Sequence, residues 1–272
     1  MGKGKKRTLL NIAWFSTGRD EAARQLLQAV QENISTGNIK GEISLVFSNR
    51  EPGESQESDS FFDMVRSYSI PLHCFSYRKF KRLIPEENGA KRSKKQSQED
   101  WRLKYDREVA RRIDEFSPDL CVLAGYMLII GKELCQKYNM LNLHPAAPGG
   151  PTGSWQEVIR ALIESKTRES GAMIHLVTPE LDRGPVVGYC LFPIKGKPFD
   201  QYWQRNDKET LFKLIRQHEL AREFPLIIST LKAMSHGEIV IRKGKILDAQ
   251  KNITQGYNLT EEINREIEAD LI

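Results

Sequence analysis

The residues whose types and spacing could carry out chemistry lie just after predicted strands. A strand is predicted over residues 140–143, and it delivers Asn142 and His144 ahead of Pro145. Side chains two positions apart on a strand point to the same side, so an amide donor and an imidazole would face one small volume. Such a pair suits a developing oxyanion, with His144 as the proton carrier. The alternative is that Asn142 satisfies local backbone groups and His144 caps a turn.

Two further segments follow predicted strands and carry useful side chains. Asp182 lies in the loop Pro-Glu-Leu-Asp-Arg-Gly-Pro at residues 179–185, where a carboxylate held in a tight turn could orient an imidazole or a water. The segment Gly-Tyr-Met-Leu-Ile-Ile at residues 125–130 could form the wall of a site for a flat aromatic ligand. Taken singly, an ordinary turn explains the first segment and ordinary core packing explains the second.

The elements that must position these residues alternate along the chain. Short apolar strands are predicted over residues 9–15, 43–47, 72–75, 120–124, 140–143, 172–178 and 186–194. Helical periodicity is found around residues 23–30, 61–69, 105–116, 131–138, 154–165 and 208–234, the last helix being perturbed near Pro225. This alternation predicts an α/β fold with a doubly wound sheet, which binds ligands at the carboxyl ends of strands where the strand order reverses.

Composition narrows the class of protein. The chain of 272 residues is 39% hydrophobic and 28% charged, which excludes a collagen-like or generally disordered chain. Its net charge of +5 suits an anionic small substrate or a polyanionic cofactor. No apolar run is long enough for a membrane span. The four cysteines show no Cys-x-x-Cys spacing, so neither a zinc site nor a redox pair is indicated, and a reducing cytoplasm is expected.

The chain is predicted to have three parts. Residues 1–7 form a basic disordered N-terminus, residues 8–235 the catalytic domain, and residues 236–272 a C-terminal hairpin and tail. Within the domain, residues 78–100 are rich in Lys and Arg and are predicted to form an exposed, mobile insertion. The two basic segments could contact RNA electrostatically. Because they contain few aromatic residues, solvated linkers are favoured and a nucleic-acid partner is not expected.

Three motifs occur in one order: Leu-Ala-Gly-Tyr-Met at residues 123–127, Asn-Leu-His-Pro at 142–145 and Glu-Leu-Asp-Arg-Gly-Pro at 180–185. Their order and spacing resemble those of the folate-dependent formyltransferases, and in particular the members that formylate glycinamide ribonucleotide in purine synthesis. The resemblance covers most of the predicted catalytic domain. It implies a Rossmann-like, mostly parallel sheet and formyl transfer from 10-formyltetrahydrofolate to an amine through a tetrahedral intermediate, with no metal.

The resemblance also implies roles for individual residues. Asn142 and a protonated His144 would stabilise the oxyanion, and Asp182 would hold His144 charged. The residues implied to contact the folate are Arg102, Met127, Leu128, Ile129, Ile130, Asn142 and Asp182. Because relatives commonly carry an Arg where this chain has Leu128, weaker binding of the glutamate tail is expected.

The acceptor side departs further from the family pattern. Thr17, Gly18, Arg19 and Asp20 would hold the phosphate of a ribonucleotide amine, or they form a plain strand-to-helix turn with Asp20 as N-cap. Glu219 is near the position of the family's substrate-contacting acid, offset by one residue. An amino-sugar nucleotide as acceptor, or a catalytically silent folate- or RNA-binding relative, remains open. The expected partner is a small-molecule amine, and the expected assembly is a monomer or homodimer.

Overall fold

A mostly parallel sheet organises the fold in the computed structural model, which describes residues 9–83 and 94–269. Its strands are β1 (Leu10–Phe15), β2 (Gly41–Ser48), β3 (Leu72–Cys74), β4 (Leu120–Leu123), β5 (Met140–His144), β6 (Glu169–Leu176) and β7 (Val186–Pro193). Three shorter strands follow them, namely β8 (Val240–Arg242), β9 (Lys245–Leu247) and β10 (Tyr257–Asn258). In the described residues the eight-stranded sheet has the order β10-β7-β6-β5-β4-β1-β2-β3, and β8 pairs with β9 separately. Neighbouring strands of the large sheet are parallel except for β5–β6 and β6–β7, which confirms the predicted α/β class.

Helices cover both faces of this sheet. They are α1 (Glu21–Ser35), α2 (Gln56–Ser67), α3 (Tyr77–Leu83), α4 (Lys94–Ile113), α5 (Lys132–Lys137), α6 (Trp155–Glu164), α7 (Asp200–Gln204), α8 (Lys208–His236) and α9 (Thr260–Ala269). In β1, Ile12 and Trp14 pack into the core under α1, α2 and α8, whereas Ala13 and Phe15 pack into the core under α4 and α5. This alternation explains why β1 and β4 carry apolar side chains toward both faces of the sheet. None of the described helices combines the length and apolar composition that a bilayer span requires.

The strand order places the candidate segments at one edge of the sheet. The chain proceeds from β1 outward through β2 to β3, then returns to lay β4 on the other side of β1 and β5 beyond it. The loops that follow β1 and β4 therefore run in opposite directions and leave a crevice between them. Open α/β sheets bind their ligands in such a crevice. Residues 16–20 and 124–131 form these two loops, and the carboxyl end of β5 lies beside them.

Helix α8 is continuous through Pro225, although a perturbation was predicted there. Proline removes one backbone N–H and crowds the preceding turn. Burial on α8 compensates, because Leu226, Ile227 and Leu231 are all buried in the core beside Pro225.

The predicted basic insertion is helical at both ends, its residues 78, 79 and 81–83 are exposed as predicted, and its mobility stays a prediction. Residues 78–83 belong to α3 and residues 94–100 to α4, while residues 84–93 and the predicted N-terminal segment 1–7 lie outside the described part of the chain. Aromatic contacts dock α3 on α4: the ring centroids of Phe80 and Tyr105 are 5.5 Å apart, and those of Tyr77 and Trp101 are 6.5 Å apart.

The C-terminal residues are part of the domain core as well as an extension. The predicted hairpin is present as β8 and β9, with Lys243 and Gly244 at its turn in the left-handed region. Beyond the hairpin, β10 pairs with β7, and α9 packs on α8 and β7 with Ile263 fully buried. The tail thereby covers a sheet edge that would otherwise leave backbone groups unpaired.

Replacing Ile263 by Ala should test this packing. We expect a loss of about 2 to 5 kcal/mol in the free energy of unfolding, because removing the isoleucine side chain creates a cavity beneath α9. Urea unfolding followed by circular dichroism measures the change. The matched control is Ile253→Ala, whose side chain is 62% exposed and should change stability by no more than about 0.5 kcal/mol. Equal effects of the two substitutions would contradict the role given to α9.

Candidate active site

The three predicted catalytic side chains converge on one point. Oδ2 of Asp182 lies 3.7 Å from Nδ1 of His144, and Nδ2 of Asn142 lies 3.4 Å from Oδ1 of Asp182. Asn142 and His144 project from the carboxyl end of β5, and Asp182 lies in the loop between β6 and β7. Both His144 and Asp182 are buried. The structure therefore brings together an amide donor, an imidazole and a carboxylate.

The loop that carries Asp182 is held in an unusual conformation. Asp182 has a φ of 53°, in the left-handed region that non-glycine residues seldom adopt. The backbone N–H of Gly153 donates to its Oδ2 at 2.9 Å, which fixes the carboxylate from the opposite side. Gly184 lets the loop pass directly over β6, because a Cβ there would overlap the carbonyl oxygen of Leu176. These constraints stabilise a strained residue at the site.

His175 completes the cluster, and the sequence analysis gave it no role. Its Nδ1 lies 3.1 Å from the carbonyl oxygen of Leu176, which can only accept, so Nδ1 carries the proton. In that tautomer Nε2 accepts from Nδ2 of Asn142 at 3.2 Å. Nε2 also lies 3.6 Å from Oδ1 of Asp182. His175 therefore orients the amide of Asn142 with its nitrogen toward Asp182.

The partners of His144 define where it can take up a proton. Its Nε2 lies 2.9 Å from the carbonyl oxygen of Pro151 and so donates to it, which leaves the lone pair of the neutral ring on Nδ1, facing Asp182. Burial lowers the pKa of His144 from its usual 6.5, against the opposing effects of the Pro151 carbonyl and Asp182. The resting imidazole is therefore mainly neutral at pH 7, where the sequence analysis expected a charged one.

Asp182 is ionised beside this neutral base. Burial tends to raise its pKa, but the imidazoles of His175 and His144, once they carry a proton, and the N–H of Gly153 favour the carboxylate, and together they lower the pKa from its usual 3.8. A proton that arrives on Nδ1 of His144 would then meet a carboxylate oxygen 3.7 Å away. The arrangement suits a base whose conjugate acid is stabilised by a fixed negative charge.

A cavity of about 400 Å³ opens onto Asn142, His144 and Asp182. Met127, Ile129 and Leu181 line it with 43 to 45% of their surface exposed, which is unusual for large apolar side chains. Leu128 and Ile130 complete this wall. Apolar walls with a few convergent polar groups are typical of a pocket for a flat, partly polar ligand.

Arg102 is not among the residues that line the cavity, although the sequence analysis placed it at the folate. It lies on α4, with its guanidinium carbon 5.8 Å from the ring centroid of Trp101. The side chain is half-buried there, and the acid that its charge influences is Asp106 of the same helix. The geometry thus supports the predicted folate wall at residues 127–130 and gives no support to a contact from Arg102.

Asp20 and Arg19 line the cavity, but their charged groups are already engaged. Oδ1 of Asp20 accepts from the N–H of Ala23 at 3.1 Å, which makes Asp20 the N-cap of α1. Its Oδ2 lies 3.3 Å from Nε of Arg19. A carboxylate therefore occupies the helix N-terminus where a phosphate would bind.

Thr17 and Gly18 lie behind the cavity rather than at its surface. Thr17 is buried, its N–H donates to the carbonyl oxygen of Gly125, and its Oγ1 accepts from the N–H of Met127 at 3.0 Å. Gly18 has a φ of 62° and packs so closely on Phe61 that a Cβ would clash with that ring. The turn after β1 thus holds the apolar wall in place, and the alternative of a plain strand-to-helix turn fits it better than a phosphate site does.

Glu219 is likewise not at the cavity. It is fully buried, and its Oε1 accepts from Oγ of Ser170 at 3.3 Å. Arg216 and Glu223 of the same helix line the cavity instead, together with Trp155 at the start of α6. Helix α8 packs on β6, and its rotation about its own axis turns the predicted acid inward, toward Ser170.

Asp182→Asn should change the titration of His144 in a defined direction. The negative charge of Asp182 raises the pKa of His144, so its removal should lower that pKa further. Titration of the imidazole by NMR measures the change. Glu180→Gln, an exposed acid in the same loop, serves as control and should leave the curve in place. An unchanged or higher pKa in the Asp182 variant would contradict the assigned contact.

Comparison with known proteins identifies relatives. A phosphoribosylglycinamide formyltransferase from Escherichia coli is 28% identical over 239 residues, which is 86% of this chain and 94% of that protein. The enzyme of the same name from Dictyostelium discoideum is 30% identical over 171 residues, or 59% of this chain and 74% of that protein. Among solved structures, phosphoribosylglycinamide formyltransferase from Coxiella burnetii has a TM-score of 0.68 at 22% identity, covering 92% of this chain and 99% of that one, which supports the shared fold.

The motifs at β4, β5 and the Asp182 loop all fall within the region that a family model recognises. The model described as "Formyl transferase" matches residues 10–197, more than half of the chain. This chain therefore belongs to the formyl transferase family.

Proposed function

We propose that this protein transfers the formyl group of 10-formyltetrahydrofolate to a small-molecule amine, with glycinamide ribonucleotide as the acceptor suggested by the names of its relatives. The observation that carries the proposal is the convergence of Asn142, His144 and Asp182 at one end of a cavity with an apolar wall. That combination provides an oxyanion donor, a base and a fixed charge beside a slot suited to the planar pterin ring.

The first step is attack of the amine nitrogen on the formyl carbon. A C–N bond forms and the carbonyl electrons move onto oxygen, giving a tetrahedral intermediate. The 3.4 Å contact between Asn142 and Asp182 is long, so one amide hydrogen can turn toward that oxyanion at small cost. One such donor typically lowers the barrier by about 2.7–4 kcal/mol. His175 keeps the amide nitrogen, rather than its oxygen, on the reacting side.

The second step is proton movement through His144. The attacking nitrogen becomes positively charged and must lose a proton, and Nδ1 of His144 is the atom with a free lone pair. Asp182 stabilises the resulting imidazolium from 3.7 Å. The same proton then passes to the folate nitrogen as the bond between that nitrogen and the formyl carbon breaks. This transfer restores the neutral imidazole. This sequence explains why a lowered His144 pKa is useful at neutral pH.

The cosubstrate is proposed to lie against the exposed apolar side chains Met127, Ile129 and Leu181. Asn142 and Asp182 supply polar groups at the end of this wall. Leu128 provides no cation for a glutamate tail, so affinity is expected to come mainly from the ring system.

His144→Ala should lower the rate of formyl transfer by about 10²- to 10⁴-fold, because the proton carrier is lost. The assay incubates protein with 10-formyltetrahydrofolate and separate amines, including glycinamide ribonucleotide and an amino-sugar nucleotide, and measures formylated amine and free formate by chromatography. His73→Ala, a half-exposed histidine on β3 at the far edge of the sheet, should retain the wild-type rate. Formate release without any formylated amine would indicate hydrolysis, and no turnover at all would indicate a binding relative; either result would contradict the proposal.

A further inference from the structure

We propose that Arg216 binds the anionic group of the amine acceptor, a phosphate or a carboxylate, while the amine reaches His144. The inference rests on the proposed function and adds to it the residue that selects the acceptor. From the sequence, the turn after β1 is the predicted anion site. The geometry points to the opposite side of the cavity, where α6 and α8 meet.

The guanidinium of Arg216 is fixed in position before any ligand binds. Its central carbon lies 4.7 Å from the ring centroid of Trp155, and its Nη1 lies 2.6 Å from Oε1 of Glu223. All three residues line the cavity. Stacking on an indole and pairing with a carboxylate hold the planar group in one orientation, which lowers the entropy lost when an anion binds.

Part of this guanidinium remains free for a ligand. Within the described residues, every hydrogen bond and ion pair of Arg216 runs through Nη1, to Glu223 and to Glu219 at 3.6 Å. Nε and Nη2 have no protein acceptor there, and neither is among the fully buried polar atoms that lack a partner. Two adjacent donors that can reach the cavity match the geometry of a carboxylate or phosphate.

The nearby acids do not cancel this cation completely. Burial and the neighbouring charge of Glu223 raise the pKa of Glu219 well above its usual 4.5, so the ionised form of Glu219 is disfavoured beside the guanidinium. Its Oε2 is buried without a hydrogen-bond partner in the described residues and lies 3.6 Å from Nη1 of Arg216. Glu223 then provides the counter-charge that orients Arg216.

Arg216 lines the same cavity as His144 and Asp182, so one small molecule in that cavity can contact both ends. The guanidinium of Arg216 stacks on the ring of Trp155. Trp155 is two residues from Gly153, so the Cα atoms of Trp155 and Gly153 are at most about 7 Å apart. The N–H of Gly153 donates to Asp182, beside His144. An acceptor with an anionic group at Arg216 can therefore present an amine to Nδ1 of His144.

The competing position is the turn after β1. There the carboxylate of Asp20 caps α1 and pairs with Arg19, so an incoming phosphate would meet a negative charge. Arg216, by contrast, is 16% exposed and held on the ring of Trp155, whereas the side chain of Arg19 is 29% exposed and its counter-ion is the next residue in the chain. We therefore place the anion at Arg216.

The test compares acceptors that differ only in their anionic group. The phosphate arm measures KM for glycinamide ribonucleotide and for the unphosphorylated glycinamide riboside. The carboxylate arm measures KM for glycine and for glycinamide. The arm in which wild-type protein prefers the anionic member identifies the anion. Arg216→Gln should reduce that preference by about 10- to 100-fold through KM for the acceptor, with KM for the folate unchanged. Arg216→Lys keeps the positive charge but loses the paired donors of the planar guanidinium, so it should retain part of the preference for the anionic acceptor.

The control is Arg160→Gln, because Arg160 lies on α6 over the ring of Phe212 and outside the cavity. It should keep the wild-type preference. The ratio of KM values within one variant cancels any loss of folded protein, and thermal melting records that loss separately. An unchanged preference in Arg216→Gln, or a preference lost in Arg19→Gln instead, would overturn the inference while leaving formyl transfer established. No transfer by wild type to any amine would overturn both proposals.

Discussion

The carboxylate of Asp182 is the constraint on which the rest of the site depends. A charge that is only 8% exposed must be compensated, and here the N–H of Gly153 and the amide of Asn142 donate to it, while the rings of His144 and His175 lie 3.7 and 3.6 Å away. Gly153 lies just before α6, Asn142 and His144 lie on β5, and His175 lies on β6. Keeping the charge in place therefore fixes the pairing of β5 with β6, the left-handed loop and the segment before α6 all at once.

The catalytic part of the site could be predicted from the sequence because it follows local rules. Asn142 and His144 are two apart on a strand and necessarily share a side. His175 required a different kind of information: it faces Asn142 only because β6 pairs antiparallel with β5, in a register that no single segment reveals. His175 lies seven residues before Asp182, outside the motif at residues 180–185, and that spacing does not show that the ring returns to the same carboxylate.

The acceptor side was harder to predict because it depends on how helices rotate and tilt. Glu219 and Glu223 are four residues apart on α8 and occupy similar angular positions, yet one is buried against Ser170 and the other lines the cavity. Two-residue strands such as β10 have no periodicity to detect, so the incorporation of the C-terminal residues into the sheet could not be read from sequence either.

The central claim is that Asn142 and Asp182 act on one transition state as a unit with His144. A double-mutant cycle on the single-turnover rate of formyl transfer tests it most directly, using Asn142→Ala, Asp182→Asn and the double variant with saturating cosubstrate. The account predicts that the double variant is about as slow as the slower single variant, because groups that act together are not additive. Rate losses that multiply would contradict it, since they would mean that the two side chains act independently.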